Sequence, residues 1–270
     1  MVHEEDVLLN SASGSYAVRI LRPAELTTGV LVYFHGGGWV VGDADSTTTL
    51  GRHLAGSSEM TVLIVDYRLA PENPFPAAVD DAVHATQWAL DNVERLTGRS
   101  AAPVAVAGDS AGGNLATVTA LRLGAESGGT NPLAAQVLLY PVTDAGQNTP
   151  SYLNPENQLI LSAGSMAYFW DQYVPDHAQR SHPDASPLRS KQLATSPPTL
   201  IVSAPHDVLL DEGKAYADGL AAAGVSTDFI VVEGQMHGFI SNINSLPEAL
   251  NTVTRVSEYL KKVLAKESMK

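Results

Sequence analysis

Short apolar runs alternate with helix-length segments along most of the chain. Val30–Phe34 (VLVYF), Thr61–Val65, Val104–Ala107, Val137–Tyr140, Thr199–Val202 and Phe229–Val232 are four or five residues long and suited to β-structure. Runs that are apolar at every position fit strands buried on both faces of a parallel sheet. Between them, Val79, Val83, Gln87, Leu90 and Val93 mostly follow a helical i, i+4, i+3 spacing. Leu250, Val253, Val256, Leu260 and Leu264 form a second such stripe near the C-terminus. Both predict amphipathic helices laid on a sheet. Strand–helix alternation with right-handed crossovers predicts an α/β fold, a doubly wound and mostly parallel sheet.

Two stretches break this rhythm. Val7–Asn10 and Tyr16–Leu21 flank the turn-rich SASGS, which predicts an N-terminal antiparallel hairpin. Residues 142–198 are rich in Pro, Asn, Asp and Ser and hold the aromatic cluster Tyr168, Phe169, Trp170 and Tyr173. A connection of that length is too long for a simple loop. It reads as a small cap of helices and loops inserted into one domain spanning 1–270.

Composition narrows the function. At 270 residues with 44% hydrophobic and 17% charged positions, the chain has material for a sizeable core. A net charge of −13 argues against a nucleic-acid partner, because phosphates are held by lysine and arginine. With no cysteine there is no disulfide framework, thiolate metal site or cysteine nucleophile. The N-terminal MVHEEDVLLN lacks a signal-peptide layout, and no apolar run is long enough for a bilayer. A cytoplasmic protein with no membrane partner is therefore expected. Composition sets no oligomeric state; a homodimer is the assembly to be tested.

The chemistry centres on AVAGDSAGGNL, residues 105–115, in which Gly108, Ser110 and Gly112 spell G-x-S-x-G. A random chain of this composition would contain that pattern roughly once in seven tries, so context must decide. Here the serine lies between a predicted strand, Val104–Ala107, and a predicted helix, Leu115–Leu123. Strand–turn–helix is the layout of a nucleophile elbow. Residues 33–39, YFHGGGW, follow the run Val30–Phe34, and their glycines let backbone N–H groups approach a ligand. Gly36, Gly37 and Gly38, with Ala111 after the serine, are the candidate oxyanion donors. His35 is assigned to holding that loop.

A serine hydroxyl needs a base, and the base needs an orienting acid. Downstream of Ser110 the histidines are His177 and His182 in the cap, His206, and His237. His237 follows Phe229–Val232 by a short loop, and Asp207 follows Thr199–Val202. Both stand at C-terminal strand ends, where open α/β sheets bind ligands. His206, beside Asp207, should point elsewhere. Asp211 is the rival acid, but its place before Glu212 and Gly213 reads as a helix N-cap.

HGGGW, DYRLAPENPFPAAVDDA (66–82), GDSAGGNLA (108–116), SAPHDVLLDEG and QMHGF together resemble the hormone-sensitive-lipase-like carboxylesterases, bacterial family IV, over roughly residues 30–265. The resemblance implies an α/β-hydrolase fold, a Ser110–Asp207–His237 triad and hydrolysis of a small-molecule carboxylic ester with no metal or organic cofactor. It also implies that Asp66, Tyr67, Arg68 and Glu72 are structural. One departure stands out: only 34 residues precede HGGG, where typical members carry a longer segment that supplies cap helices, so an N-terminal cap is not expected here. The site is therefore expected to be open and covered by 142–198 alone, with Trp39, Met166, Tyr168, Phe169 and Trp170 lining a small acyl pocket. The same machinery could serve an arylformamidase or lactone hydrolase. A non-catalytic ligand-binding member is the further alternative; plant gibberellin receptors share this fold but lack the histidine that His237 supplies here.

Overall fold

The apolar runs form the centre of one eight-stranded sheet in the computed structural model, which describes residues 2–23, 27–128 and 130–267. The strands are β1 (His3–Ser11), β2 (Gly14–Arg22), β3 (Val30–Phe34), β4 (Thr61–Asp66), β5 (Val104–Asp109), β6 (Ala135–Leu139), β7 (Thr199–Ser203) and β8 (Thr227–Val231). Their spatial order is β1-β2-β4-β3-β5-β6-β7-β8. The hairpin β1–β2 joins β4 antiparallel, and every other pairing is parallel. In β3, β6 and β7 every position is buried, as continuous apolar runs require of central strands. The edge strand β8 is only partly covered.

Among the described residues eight α-helices accompany the sheet: α1 (Ala44–Ser58), α2 (Ala77–Asp91), α3 (Val93–Thr97), α4 (Ala111–Glu126), α5 (Pro150–Leu153), α6 (Ala163–Tyr173), α7 (Leu210–Ala222) and α8 (Pro247–Glu267). Alternate strand residues face opposite layers. Leu31, Tyr33, Val62 and Ile64 pack with Leu50 and Leu54 of α1 and Val253, Val256 and Leu260 of α8. Val30, Val32, Phe34 and Leu63 pack with residues of α2, α4 and α7. Among the described residues no helix is long and apolar enough to cross a membrane.

The helical stripes are shifted from the expected ones. In α2 the buried face is Ala78, Val79, Ala82, Ala85 and Ala89. Gln87 is exposed and donates to Asp91 Oδ1 at 2.9 Å. Alanines win because α2 packs closely on α4, where larger side chains would hold the helices apart. In α8, Val253, Val256, Leu260 and Leu264 are buried, while Leu250 is 44% exposed and Ala249 takes the inward place.

Residues 142–198 contain α5, α6 and several single turns of 3₁₀-helix. Buried Asn114 of α4 ties this segment down, donating from Nδ2 to the carbonyls of Val142 and Ala185 at 3.0 Å each.

Candidate active site

Backbone geometry at the end of β5 explains the glycines around Ser110. Ser110 has φ +55° and ψ −119°, a region that costs a residue bearing a Cβ about 1–3 kcal/mol. The helix α4 starts at the next residue, earlier than the expected Leu115. A Cβ on Gly108 would collide with the Gly112 carbonyl, and one on Gly112 with the carbonyl of Phe34. Only glycine lets β5, α4 and the end of β3 meet this closely. Ala111, at the first position of α4, has an N–H that no intrahelical carbonyl can accept.

The loops after β7 and β8 remain paired beyond the strands. His206 N–H donates to the Gln235 carbonyl at 3.2 Å, and His206 bridges to Met236. That pairing sets Asp207 beside His237. His237 Nδ1 lies 2.7 Å from Asp207 Oδ2, and His237 Nε2 lies 2.9 Å from Ser110 Oγ. A carboxylate on Nδ1 makes Nδ1 the protonated nitrogen and leaves Nε2 as acceptor for the serine proton. Asp207 Oδ1 accepts the Leu209 N–H at 2.9 Å, and Asp207 is 1% exposed. His206, His177 and His182 lie exposed, away from this line. The ring of Tyr140 stands 4.7 Å from that of His237. No sequence pattern pointed to Tyr140; its contact depends on a φ of +36° at the end of β6.

Asp211 is not the N-cap of its own helix, which begins at Leu210 with Leu209 as the cap. Its Oδ2 instead accepts the Ser151 N–H at 2.7 Å, at the start of α5. The two elements are also joined by Ser151 Oγ, which donates to the Val208 carbonyl at 2.6 Å. Next to it, Glu212 is buried, and Oε1 accepts the N–H groups of Thr143 at 2.6 Å and Asp144 at 3.3 Å. Burial pushes the Glu212 carboxyl well above its ordinary range despite those donors. A pKa raised on folding contributes stability that is full below the unfolded value of about 4.3 and is lost as pH rises through the folded value. Glu212→Gln keeps the accepting oxygen and cannot ionise. Its urea midpoint should therefore gain on that of the wild type as pH rises above about 5. A gap that stays constant with pH would show that Glu212 does not titrate as stated.

The glycine loop is held from three sides. His35 Nδ1 donates to the Gly36 carbonyl at 2.7 Å, Tyr67 OH donates to the His35 carbonyl at 2.8 Å, and Ala70 N–H donates to the Trp39 carbonyl at 2.8 Å. The 66–82 stretch thus braces the loop, and Arg68 is clamped bidentately on buried Asp81 at 2.7 and 2.8 Å. One candidate donor is corrected. The Gly36 N–H is already given to Asp109 Oδ1 at 3.0 Å, so it is not available to an oxyanion. Gly37 and Gly38, both at positive φ, remain with Ala111.

A cavity of about 410 Å³ opens over Ser110 and His237 and reaches Gly36, Gly37 and Gly38. Its apolar wall is Leu50, Ile160, Leu161, Phe169 and Ile243; Thr49, Ser241 and Asn244 are among its polar liners. Of the five expected pocket residues only Phe169 is there. The helix α6 turns Met166, Trp170 and Tyr173 inward at i, i+4, i+7, so Met166 and Trp170 are core. Trp39 is buried and stacked on Tyr173 at 4.2 Å, and Tyr168 is 53% exposed to solvent. Leu50 and Ile243 come from α1 and from the turn after His237, and nothing in their sequence setting marks them.

Comparison with known proteins agrees with this architecture. A family model described as alpha/beta hydrolase fold matches residues 31–241. The ethyl acetate hydrolase of Pseudomonas putida is 39% identical over 267 residues, covering 96% of this chain and 82% of that protein. A solved thermostable esterase from Pseudomonas putida ECU1011 superposes with a TM-score of 0.89 at 36% identity, over 97% of this chain and 83% of that one. An esterase from Pyrobaculum calidifontis gives a TM-score of 0.90 at 37% identity, over 96% and 85% of the two chains.

Proposed function

The chain belongs to the α/β-hydrolase-fold family, among its hormone-sensitive-lipase-like carboxylesterases, and is a carboxylic ester hydrolase; from that premise we propose a serine carboxylesterase that cleaves short-acyl esters through an acyl-enzyme. The observation that carries this reading is the line from Ser110 Oγ through His237 to Asp207, at 2.9 and 2.7 Å. His237 Nε2 takes the Ser110 proton as Oγ attacks the ester carbonyl. Asp207 holds the ring in the accepting tautomer and stabilises the imidazolium. The oxyanion turns to the N–H groups of Gly37, Gly38 and Ala111; losing one such donor costs about 3–4 kcal/mol of barrier. His237 then gives its proton to the leaving alcohol and activates the water that frees the acid.

Residues 142–198 act as the cap in this proposal, bringing Ile160, Leu161 and Phe169 to the cavity. The apolar wall binds the acyl chain, and each methylene that fits adds up to about 0.8 kcal/mol until the wall is used up. The name of the Pseudomonas putida relative, ethyl acetate hydrolase, supports a short acyl group. On p-nitrophenyl esters kcat/KM should peak at about two to six acyl carbons and fall steeply by about ten. A peak at about twelve carbons or more, or a rate jump above the critical micelle concentration, would make the protein a lipase and overturn the short-acyl reading.

A further inference from the structure

Asp109 is the residue that immediately precedes Ser110, and the proposed catalytic cycle gives it no task. It is half-buried at the end of β5 and lines the cavity. Its Oδ1 accepts two hydrogen bonds, from Tyr33 OH at 2.8 Å and from Gly36 N–H at 3.0 Å. Both donors belong to β3 and the glycine loop, and the acceptor belongs to the elbow. Gly36 presses so closely on the carboxylate that a Cβ there would collide with Oδ2. Burial holds the Tyr33 phenol well above its usual value, so it stays a donor. Oδ2 makes no hydrogen bond to a described residue.

The two halves of the oxyanion hole come from different strand ends, Gly37 and Gly38 after β3 and Ala111 after β5. Their N–H groups must converge on one oxygen, and a misplacement of the order of 1 Å costs a large part of the rate. One side chain links the residue before Gly37 to the residue before Ser110. We propose that Asp109 is a positioning residue that sets the spacing between the two halves of the oxyanion hole through Gly36 N–H and Tyr33 OH. It touches no reacting atom. The inference rests on Ser110 as nucleophile and Gly37, Gly38 and Ala111 as donors.

The test compares Asp109→Ala, Asp109→Asn and Tyr33→Phe with the wild type on p-nitrophenyl butyrate. The companion probe is an alkyl trifluoromethyl ketone, whose serine adduct carries an oxyanion. Asp109→Ala should lower kcat by about 30- to 1,000-fold, up to the loss expected for one oxyanion donor. KM should stay within about threefold, because the interaction is used in the transition state. Affinity for the ketone should fall by a factor similar to kcat. Asp109→Asn retains the Oδ1 acceptor and places its amide where Oδ2 has no protein partner, so it should recover kcat to within about fivefold of the wild type.

Unchanged kcat in Asp109→Ala, a kcat loss with unchanged ketone affinity, or an Asn variant as impaired as the Ala variant would each overturn the proposal. If Asp109→Ala fails to fold, Tyr33→Phe decides. Removing one of the two bonds should cost about three- to tenfold in both kcat and ketone affinity, and no loss in either would refute the role. A fluorophosphonate separates this failure from failure of the nucleophile. Labelling of Ser110 in wild type and variant alike leaves the serine reading standing, and the kinetics then judge Asp109. A wild type unlabelled at Ser110 would sink the serine reading and this inference with it.

Discussion

Ser110→Ala should fold like the wild type and lose at least about a thousandfold in kcat on p-nitrophenyl butyrate, since nucleophile and base act as a unit. The substitution removes a single oxygen. The Cβ already sits at φ +55°, so alanine adds no new strain. Among the described residues the lost hydroxyl bonds only His237 Nε2, and the site opens to the cavity, so stability should change by about 1 kcal/mol or less. What remains is the binding and oxyanion stabilisation that such sites retain without their serine. Steady-state rates on purified variant, with fluorophosphonate labelling as control, make the measurement. More than about a tenth of wild-type rate would move the nucleophile elsewhere. The other hydroxyls of the cavity, such as Ser46, Thr47 and Ser241, make no hydrogen bond to a histidine among the described residues, which makes that outcome hard to rationalise.

The sheet was legible because its strands are simple. Val30–Phe34 coincides with β3, and the other runs fall within a residue or two of β4 to β8; in the central strands burial on both faces keeps the run almost continuously apolar. Helix faces were less legible. The stripe through Val79, Val83 and Gln87 follows residue size, whereas α2 buries its alanines because α4 lies close. That choice depends on the distance to a neighbour, which no local spacing encodes. The alternation gives the doubly wound sheet, the resemblance carried by HGGG and GDSAGG implies the α/β-hydrolase fold, and the family match over residues 31–241 agrees.

The site divides along the same line. Ser110, Asp207 and His237, the proposed triad that the fold brings into one hydrogen-bonded line, could be singled out because each follows an apolar run, and strand ends converge on one edge of a parallel sheet. Gly36 was misassigned for a reason outside its own segment, since its N–H is taken by a carboxylate at the end of another strand, 73 residues away. The aromatic run Tyr168, Phe169, Trp170 points in three directions, as successive residues of a helix must. Its phase was set by the core positions Met166, Trp170 and Tyr173, which left Phe169 to the cavity and Tyr168 to solvent. Leu50, Ile160 and Ile243 join that wall only through the tertiary fold.

The acid assignment makes the second large prediction. Asp207→Asn should lower kcat by about ten-thousandfold, while Asp211→Asn should leave kcat within about threefold. The reason lies in the second oxygen of Asp207. Oδ1 accepts the Leu209 N–H at 2.9 Å, and Oδ2 faces His237 Nδ1 at 2.7 Å. An asparagine will keep its carbonyl on the Leu209 donor, because turning the amide there would set two N–H groups against each other. Its NH₂ then faces Nδ1, which must accept, and the ring proton moves to Nε2. In that tautomer His237 cannot take the Ser110 proton, although every heavy atom stays in place. Asp211 makes no such demand. Its carboxylate receives the Ser151 N–H at 2.7 Å, a contact that an asparagine carbonyl can keep, so the variant should lose about 1 kcal/mol of stability or less. Crystal structures of both variants with kcat on one ester would complete the test. If Asp211→Asn lost the rate and Asp207→Asn kept it, the orienting acid would be Asp211, and the 2.7 Å contact of Asp207 with His237 would have no catalytic role.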